Sequence, residues 1–292
     1  MTPFIALCLL ITYVVWGTTY LAIRFALTDL PPFLMMGSRF LAAALLLTPI
    51  VLLRQRERVS LRQLRNCMLV GAFLLVGGMG MTAVAQQTIS SGATTVMIAS
   101  MPLFSTLWML LAGGRLRGYE VAAIALGSIG IAVLFRGAEF QASAGGVLAL
   151  TTAIASWSFG SQLSKRVDMP KGLTAFVLEM AFGGVALTLL SLATGEHWPR
   201  QIGLHAALAW GYQVTFGSAI AFTAYMALVQ RVSTVMATSY VYVNPPIALL
   251  MGAWLADEQV APQTLGATAI ILSAVVVLTA GATRAARRAA TV

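Results

Sequence analysis

Tyr240, Asn244 and Met251 stand four and then seven residues apart in one apolar segment, so helical winding puts them on a single face. A phenol and a carboxamide among aliphatic residues donate and accept hydrogen bonds without carrying charge. Such groups hold a ligand; they do not break bonds. A shift of 143 residues carries the three positions onto Met97, Met101 and Trp108, which again share one face. Methionine offers a polarizable wall that accepts several shapes. An earlier segment carries Trp16 and Tyr20, and its counterpart carries Trp157 and Ser161. Met79, Thr82 and Gln86 share a further face, with Tyr225 in the corresponding later segment. All of these are candidate substrate-binding residues. Pro102, Pro245 and Pro246 are expected to kink their helices and to free the carbonyls of Ile98, Val241 and Tyr242.

Bond-making chemistry has no such support. The chain has no HExxH, GxSxG or Walker-type loop, and its two histidines, His197 and His205, lack metal-ligand spacing. Cys8 and Cys67 read as small packing residues. No catalytic residue, metal site or cofactor is therefore expected, and the chain is not expected to be an enzyme. Two charges fall inside apolar segments, Arg39 and Glu179. An ionisable group there is a functional candidate by default. Glu179 is the one acid placed to relay a proton, hence a candidate coupling residue. Arg39 has a long stem that can snorkel to the membrane surface.

The elements that must position these residues are long and apolar. Of 292 residues, 59% are hydrophobic and only 9% charged, with a mean hydropathy of +0.87. A soluble domain carries about 25% charged residues. Ten apolar blocks run roughly 4–27, 32–53, 68–86, 93–113, 119–136, 145–165, 172–194, 204–229, 234–255 and 262–282. Most are long enough to cross the ~30 Å hydrocarbon layer as helices, the form that satisfies its own backbone polar groups in lipid. Gly127 with Gly130, and Gly183 with Gly184, read as close-packing seams.

The net charge of +9 is explained by position rather than by a nucleic-acid partner. Arg54, Arg56, Arg58, Arg62 and Arg65 fall between blocks two and three, and Arg115 and Arg117 between four and five. Lys165, Arg166 and Lys171 fall between six and seven, Arg231 between eight and nine, and Arg284, Arg287 and Arg288 in the tail. These make 14 of the 18 basic residues, all on one side of an alternating topology. Only Arg24, Arg39, Arg136 and Arg200 fall elsewhere, while Asp29, Glu139, Glu196, Asp257 and Glu258 lean to the opposite side. The bias places both termini in the cytoplasm.

The two halves echo each other. At the 143-residue shift Phe73 meets Phe216, Pro102 meets Pro245 and Leu107 meets Leu250; at 141, Trp16 meets Trp157 and Arg24 meets Lys165. Five spans is an odd number, so the second copy is expected upside down, as in carriers that rock around a midplane site. The expected division is residues 1–137 and 142–283 for the repeats, with 284–292 a basic tail.

At this point the sequence resembles the drug/metabolite transporter superfamily, in particular its ten-helix EamA-type exporters. The residues that carry the resemblance are WGTTYLAIR at Trp16–Arg24, MPLFSTLW at Met101–Trp108 and VNPPIALLMGAWLADEQV at Val243–Val260. The likeness covers roughly residues 3–282 and is nearest to aromatic amino-acid exporters of the YddG type. The family ends helices four and nine with a small residue and Glu. Glu258 keeps that pattern, whereas the first half has Arg115. The resemblance implies an all-α polytopic membrane protein, ten helices in two inverted five-helix repeats, in the bacterial inner membrane.

The expected function is secondary export of small metabolites, foremost aromatic or other neutral amino acids, by alternating access. The partners are a small-molecule substrate and the lipid bilayer, not nucleic acid, and the chain is expected to work as a monomer. Carriers of phosphorylated metabolites need Lys or Arg at the substrate. Blocks three, four, eight and nine hold no basic residue at mid-depth, which favours a neutral or zwitterionic substrate. A multidrug carrier for flat organic cations stacked on aromatic rings is the alternative. A channel or a non-transporting scaffold fits less well, since no polar ring is present and inverted repeats argue for a carrier.

Overall fold

The computed structural model describes residues 2–54, 58–137, 140, 143–229, 231–232, 234–237 and 239–290. Arg56, Glu139 and Ala142 lie outside the described residues, as do the side chains of Arg54, Arg287 and Arg288. The described chain is helical throughout, with no strand. Ten rods follow one another: α1 (Pro3–Ala26), α2 (Pro32–Arg54), α3 (Leu61–Ala85), α4 (Ser91–Leu111), α5 (Gly118–Phe135), α6 (Ala144–Ser164), α7 (Leu173–Ala193), α8 (204–229), α9 (Tyr240–Leu255) and α10 (Pro262–Ala290). A single turn, Thr234–Ala237, precedes α9. Seven of the rods are each long and apolar enough to cross a membrane, and α9 is a shorter apolar helix. Leu45, Leu53, Leu111, Leu148 and Trp254 stand fully outward, as lipid-facing residues do in a protein solvated by acyl chains.

Local chemistry sets the helix starts. Ser60 and Gln63 form a reciprocal capping box at α3. Ser90 accepts the N–H of Ala93 at α4, and Ser143 that of Gly146 at α6. Two rods depart from α geometry. α3 is π-helical over Ala72–Gly80, and α8 over Gln213–Ile220. α4 breaks at Ala99–Ser100, between Ser91–Ile98 and Met101–Leu111. Pro102 thus opens the second piece, at a position where a missing N–H costs nothing, rather than kinking a continuous helix. Pro245 and Pro246 do lie inside a helix, within Tyr240–Leu255.

The packing exchanges helices five apart. α1 lies on α8 and α9, while α6 lies on α3 and α4; α2 pairs with α7 and α5 with α10. The close pairs are made through glycine. A methyl on Gly184 would meet the Leu41 nitrogen at 3.0 Å and the Gly37 oxygen at 3.1 Å, and one on Gly130 would meet Ile271 at 2.7 Å. One buried cluster fills the α2–α3–α7 side, around Met35, Met36, Phe40, Leu75, Met180 and Leu187. Another fills the α3–α4–α6–α10 side, around Ile89, Val96, Met97, Leu150, Ile154 and Ile271. Cys8 and Cys67 are buried and free.

The two ends of the bundle differ. We call the end where α1 starts the base and the other the crown. At the crown, carboxylates close the helix starts of the facing half. The backbone N–H groups of Phe33 and Leu34, at the start of α2, donate to Glu196 at 3.0 and 2.8 Å. The N–H of Gly203, before α8, donates to Asp29 at 2.6 Å. Ser91 and Gly92, at the start of α4, donate from their N–H groups to Glu258 at 3.0 and 3.2 Å, and Arg24 pairs with that carboxylate at 3.3 Å. Each contact places an anion at the positive end of a helix dipole. The cross-contacts at the base include Tyr13 with Ser239 at 2.6 Å, Asn66 and Gln63 donating to the Asp168 carbonyl and carboxylate at 2.8 and 3.2 Å, and Arg231 over the Phe4 ring.

Candidate functional site

Between the halves, three rings from three helices meet, two of the three pairs edge to face and the Trp16–Tyr225 pair tilted. Trp16 of α1 lies 4.7 Å from Tyr240 of α9 and 5.2 Å from Tyr225 of α8, centroid to centroid, and the two tyrosines are 5.9 Å apart. Trp16 Nε1–H donates to the carbonyl of Gly217 at 3.2 Å, inside the π-helical stretch of α8. One turn along α9 from Tyr240, Asn244 is buried and its Oδ1 has no donor among the described residues. The side chain of Gln86 in the α3–α4 turn bridges to α1: its Nε2–H donates to the Tyr20 carbonyl at 3.1 Å, and its Oε1 has no donor among the described residues. A buried amide oxygen left unpaired costs about 1–3 kcal/mol. Such oxygens, that of Asn244 one turn from Tyr240 and that of Gln86 near the Tyr20 carbonyl, are groups that a ligand or water can satisfy.

A second cluster lies nearer the base. Trp108 Nε1–H donates to Ser158 Oγ at 2.9 Å and to the Ala155 carbonyl at 3.2 Å, which pins α4 to α6. Its ring meets Phe159 edge-on at 5.3 Å, and Phe159 meets Phe73 at 4.8 Å. A cleft of about 250 Å³ runs along α4 and α6 past Thr106, Trp108, Phe159 and Gln162 to Arg166 in the base loop. The π stretch of α3 engages α6 as that of α8 engages α1: the Ser156 hydroxyl donates to the Phe73 carbonyl at 2.8 Å.

The third feature is charged. Arg39 of α2 is 3% exposed. It does not snorkel to the surface. Its Nε–H donates to Ser218 Oγ at 3.0 Å and its Nη1–H to Gln213 Oε1, both in the π stretch of α8. Gln213 and Ser218 are five residues apart. In an α-helix that spacing turns them about 140° from each other. An i→i+5 winding brings them to one face, where a single guanidinium reaches both.

The profile of the EamA-like transporter family matches residues 3–136 and again residues 144–280. The chain belongs to the EamA-like transporter family. It is a membrane transporter, not an enzyme. Among the relatives of this EamA chain, the inner membrane transporter YedA of Escherichia coli (strain K12) is 40% identical over 92% of this chain and 88% of that protein. The "Probable amino-acid metabolite efflux pump" of Escherichia coli (strain K12) is 26% identical over 90% of each chain. A crystal structure 21% identical over 96% of this chain and 98% of the other shares the fold, with a TM-score of 0.63.

In this EamA structure the residues singled out by spacing divide into groups. Trp16, Tyr225 and Tyr240 meet, with Asn244 one turn on and Tyr20 one turn along α1. Trp108 lines the base-side cleft instead. Met101 packs against the α3–α4–α6–α10 core and Met97 is buried within it, at 1% exposure. Met79 packs on the α2–α3–α7 core. The Thr82 hydroxyl is spent on the Gly78 carbonyl of its own helix, at 2.9 Å. Trp157 lies across Gly78, so close that a methyl there would meet its ring at 2.7 Å. Ser161 is half-buried, and its carbonyl accepts from the Ser164 hydroxyl. Glu179 is buried on α7 against Gly71 of α3. Spacing missed Ser158, Phe159, Gln213 and Ser218. The last two left a signal, as polar residues in an apolar block, but α-helical counting separates them.

Proposed function

We propose that this transporter exports small zwitterionic metabolites, foremost aromatic or other neutral amino acids, by alternating access around the Trp16–Tyr225–Tyr240 cluster. The observation that carries the reading is the unsatisfied amide oxygen of Asn244 one turn from that cluster. Rings hold the side chain of the substrate, and neutral oxygens receive its ammonium without fixed negative charge. Tyr240, Asn244, Trp16, Tyr20 and Tyr225 form the site; Met101, Trp108 and Trp157 shape the route between it and the base. A relative named as an amino-acid metabolite efflux pump supports the substrate class.

With both termini in the cytoplasm of an inner-membrane protein, the crown faces outward. The carboxylate caps at Phe33, Ser91 and Gly203 then form an outer gate in its closed state, and the α4–α6 cleft leads inward. The exchange of partners between helices five apart supports two inverted repeats, 1–137 and 142–283, and one chain contains both, so a monomer suffices. Glu179 is the coupling residue of this reading, since it is the acid buried within a span.

An organic-cation exporter is the second reading, favoured by the three-ring cluster. The buried guanidinium of Arg39 beside α8 weighs against it. Counterflow in proteoliposomes with amino acids and flat organic cations separates the two. Exchange of the former supports amino-acid export, and exchange of cations alone replaces it.

A further inference from the structure

We propose that Arg39 is the carboxylate receptor of the transport site, and that the substrates are therefore molecules with a free carboxylate. The proposal rests on the amino-acid reading above and deepens it. A charge inside a span must be compensated or be in use. Arg24 pairs with Glu258 at the crown, and among the described residues no carboxylate pairs with Arg39. Its partners are neutral: Ser218 Oγ, Gln213 Oε1, Met36 Sδ at 3.7 Å and the Phe40 ring at 5.1 Å. They fix the orientation of the guanidinium and leave its charge uncancelled.

The free edge points to the site. Nε and Nη1 are committed, whereas Nη2 donates to no group among the described residues. Nη2 lies beside Gly217. A methyl built on that glycine would stand 3.4 Å from Nη2 and 3.5 Å from Thr19 Oγ1, in ordinary contact with both. Glycine therefore leaves a methyl-sized space beside the guanidinium edge and the Thr19 hydroxyl. The same residue offers its carbonyl to Trp16 Nε1. One position thus borders both the guanidinium and the aromatic cluster. A carboxylate that reaches this edge accepts the two N–H groups of Nη2; the Thr19 hydroxyl, which donates to the Val15 carbonyl at 2.7 Å, only borders it. The attached side chain then lies toward Trp16, Tyr225 and Tyr240, and the ammonium toward neutral oxygens. A charge-assisted contact of this kind is the strong class of hydrogen bond, and arginine offers it in a rigid plane.

A merely structural arginine would clamp α2 to α8 and leave ligand preference alone, so the test reads preference. The full chain is purified in detergent, and binding of phenylalanine, leucine, methionine and threonine is measured against their carboxamides. 3-Phenylpropionate and phenethylamine serve as probes of each charge alone. The parental protein should bind each acid about tenfold or more tighter than its carboxamide, and 3-phenylpropionate should compete while phenethylamine does not. Arg39→Gln should shrink the acid preference to within about threefold. Gly217→Ala should do the same through the filled space, and it leaves the Ser218 and Gln213 contacts intact, so it decides the matter if Arg39→Gln does not fold. Equal binding of acids and carboxamides by the parental protein overturns the Arg39 assignment alone. So does an undiminished acid preference in either folded variant. A parental protein that binds none of the panel overturns the amino-acid reading and this assignment together.

Discussion

Glu258 and Ser91 come from opposite halves of the chain and meet at the crown: the Ser91 N–H and hydroxyl both donate to the Glu258 carboxylate at 3.0 Å. The same carboxylate takes Arg24 and the Gly92 N–H, and its side chain is 5% exposed. Gly252 leaves it room, since a methyl there would stand 2.5 Å from Glu258 Oε2. One acid thus caps α4, pairs with α1 and rests on α9. The first half has Arg115 at the matching place, so the base has no copy of this glutamate; there the Asp168 carboxylate takes the Gln63 side chain at 3.2 Å.

Weakening that clasp should open the crown. Glu258→Gln keeps the shape but loses the charge, and Gly252→Ala displaces the carboxylate. Both should raise the labelling rate of a cysteine placed at Ser90 by an impermeant maleimide, with Cys8 and Cys67 replaced. Loss of a cap of this type costs about 1–2 kcal/mol, so Tm should fall by a few degrees without loss of the folded state. Unchanged labelling in both variants would show that the clasp is not a gate.

The aromatic cluster should set which substrates pass more than whether any pass. Trp16→Phe keeps a ring but loses the hydrogen bond to Gly217. Trp16→Ala removes contacts at 4.7 and 5.2 Å with Tyr240 and Tyr225. Competition by a series of amino acids should shift toward larger side chains in Trp16→Ala, by about tenfold for a gain of two or three methylenes. An unaltered order of preference would place side-chain recognition elsewhere, the Trp108–Phe159 cluster being the next candidate.

Glu179 should affect coupling and not exchange. Counterflow needs no driving ion, so Glu179→Gln should retain counterflow while uphill export driven by a pH gradient falls by about tenfold. Uphill export at the parental rate would remove Glu179 from the mechanism. Loss of counterflow as well, in a folded variant, would make it structural.

Topology follows from the basic residues. Reporter fusions after Arg58 and in the loop that holds Lys165 and Lys171 should report the cytoplasm, and fusions in the 194–203 loop the outside. An external report after Arg58 would contradict the inverted arrangement and would reverse which gate is closed.

Much of the architecture was legible because lipid imposes it. A 20-residue apolar run has few options other than a spanning helix, and the apolar blocks fall on the ten rods to within a few residues at most ends. The start of α3 is an exception: the polar, arginine-bearing stretch from Leu61 is helical, capped by Ser60, although hydropathy begins at residue 68. The aromatic cluster was partly legible, because Trp16, Tyr225 and Tyr240 stood out as large polar-edged rings at depth. The place of Arg39 was not. Its counterparts sit in π-helical winding, and a rule based on 3.6 residues per turn puts Gln213 and Ser218 on different faces. Blocks three, four, eight and nine contain no basic residue, but a side chain from α2 reaches α8 across the interface. The spent hydroxyl of Thr82 and the buried Met97 mark the opposite error. A periodic face tells which residues point one way, not whether a cavity or a neighbouring helix is there to meet them.

The central claim is that the buried amide and phenol of α9 hold an amino acid in transit. Its most direct test is counterflow of labelled amino acids into proteoliposomes by the parental protein and by Asn244→Leu and Tyr240→Phe, each normalised to monodisperse protein. The account predicts exchange by the parental protein, a loss of about tenfold or more in Asn244→Leu, and a smaller loss in Tyr240→Phe. Exchange at the parental rate in both variants, across the whole amino-acid panel, would contradict it.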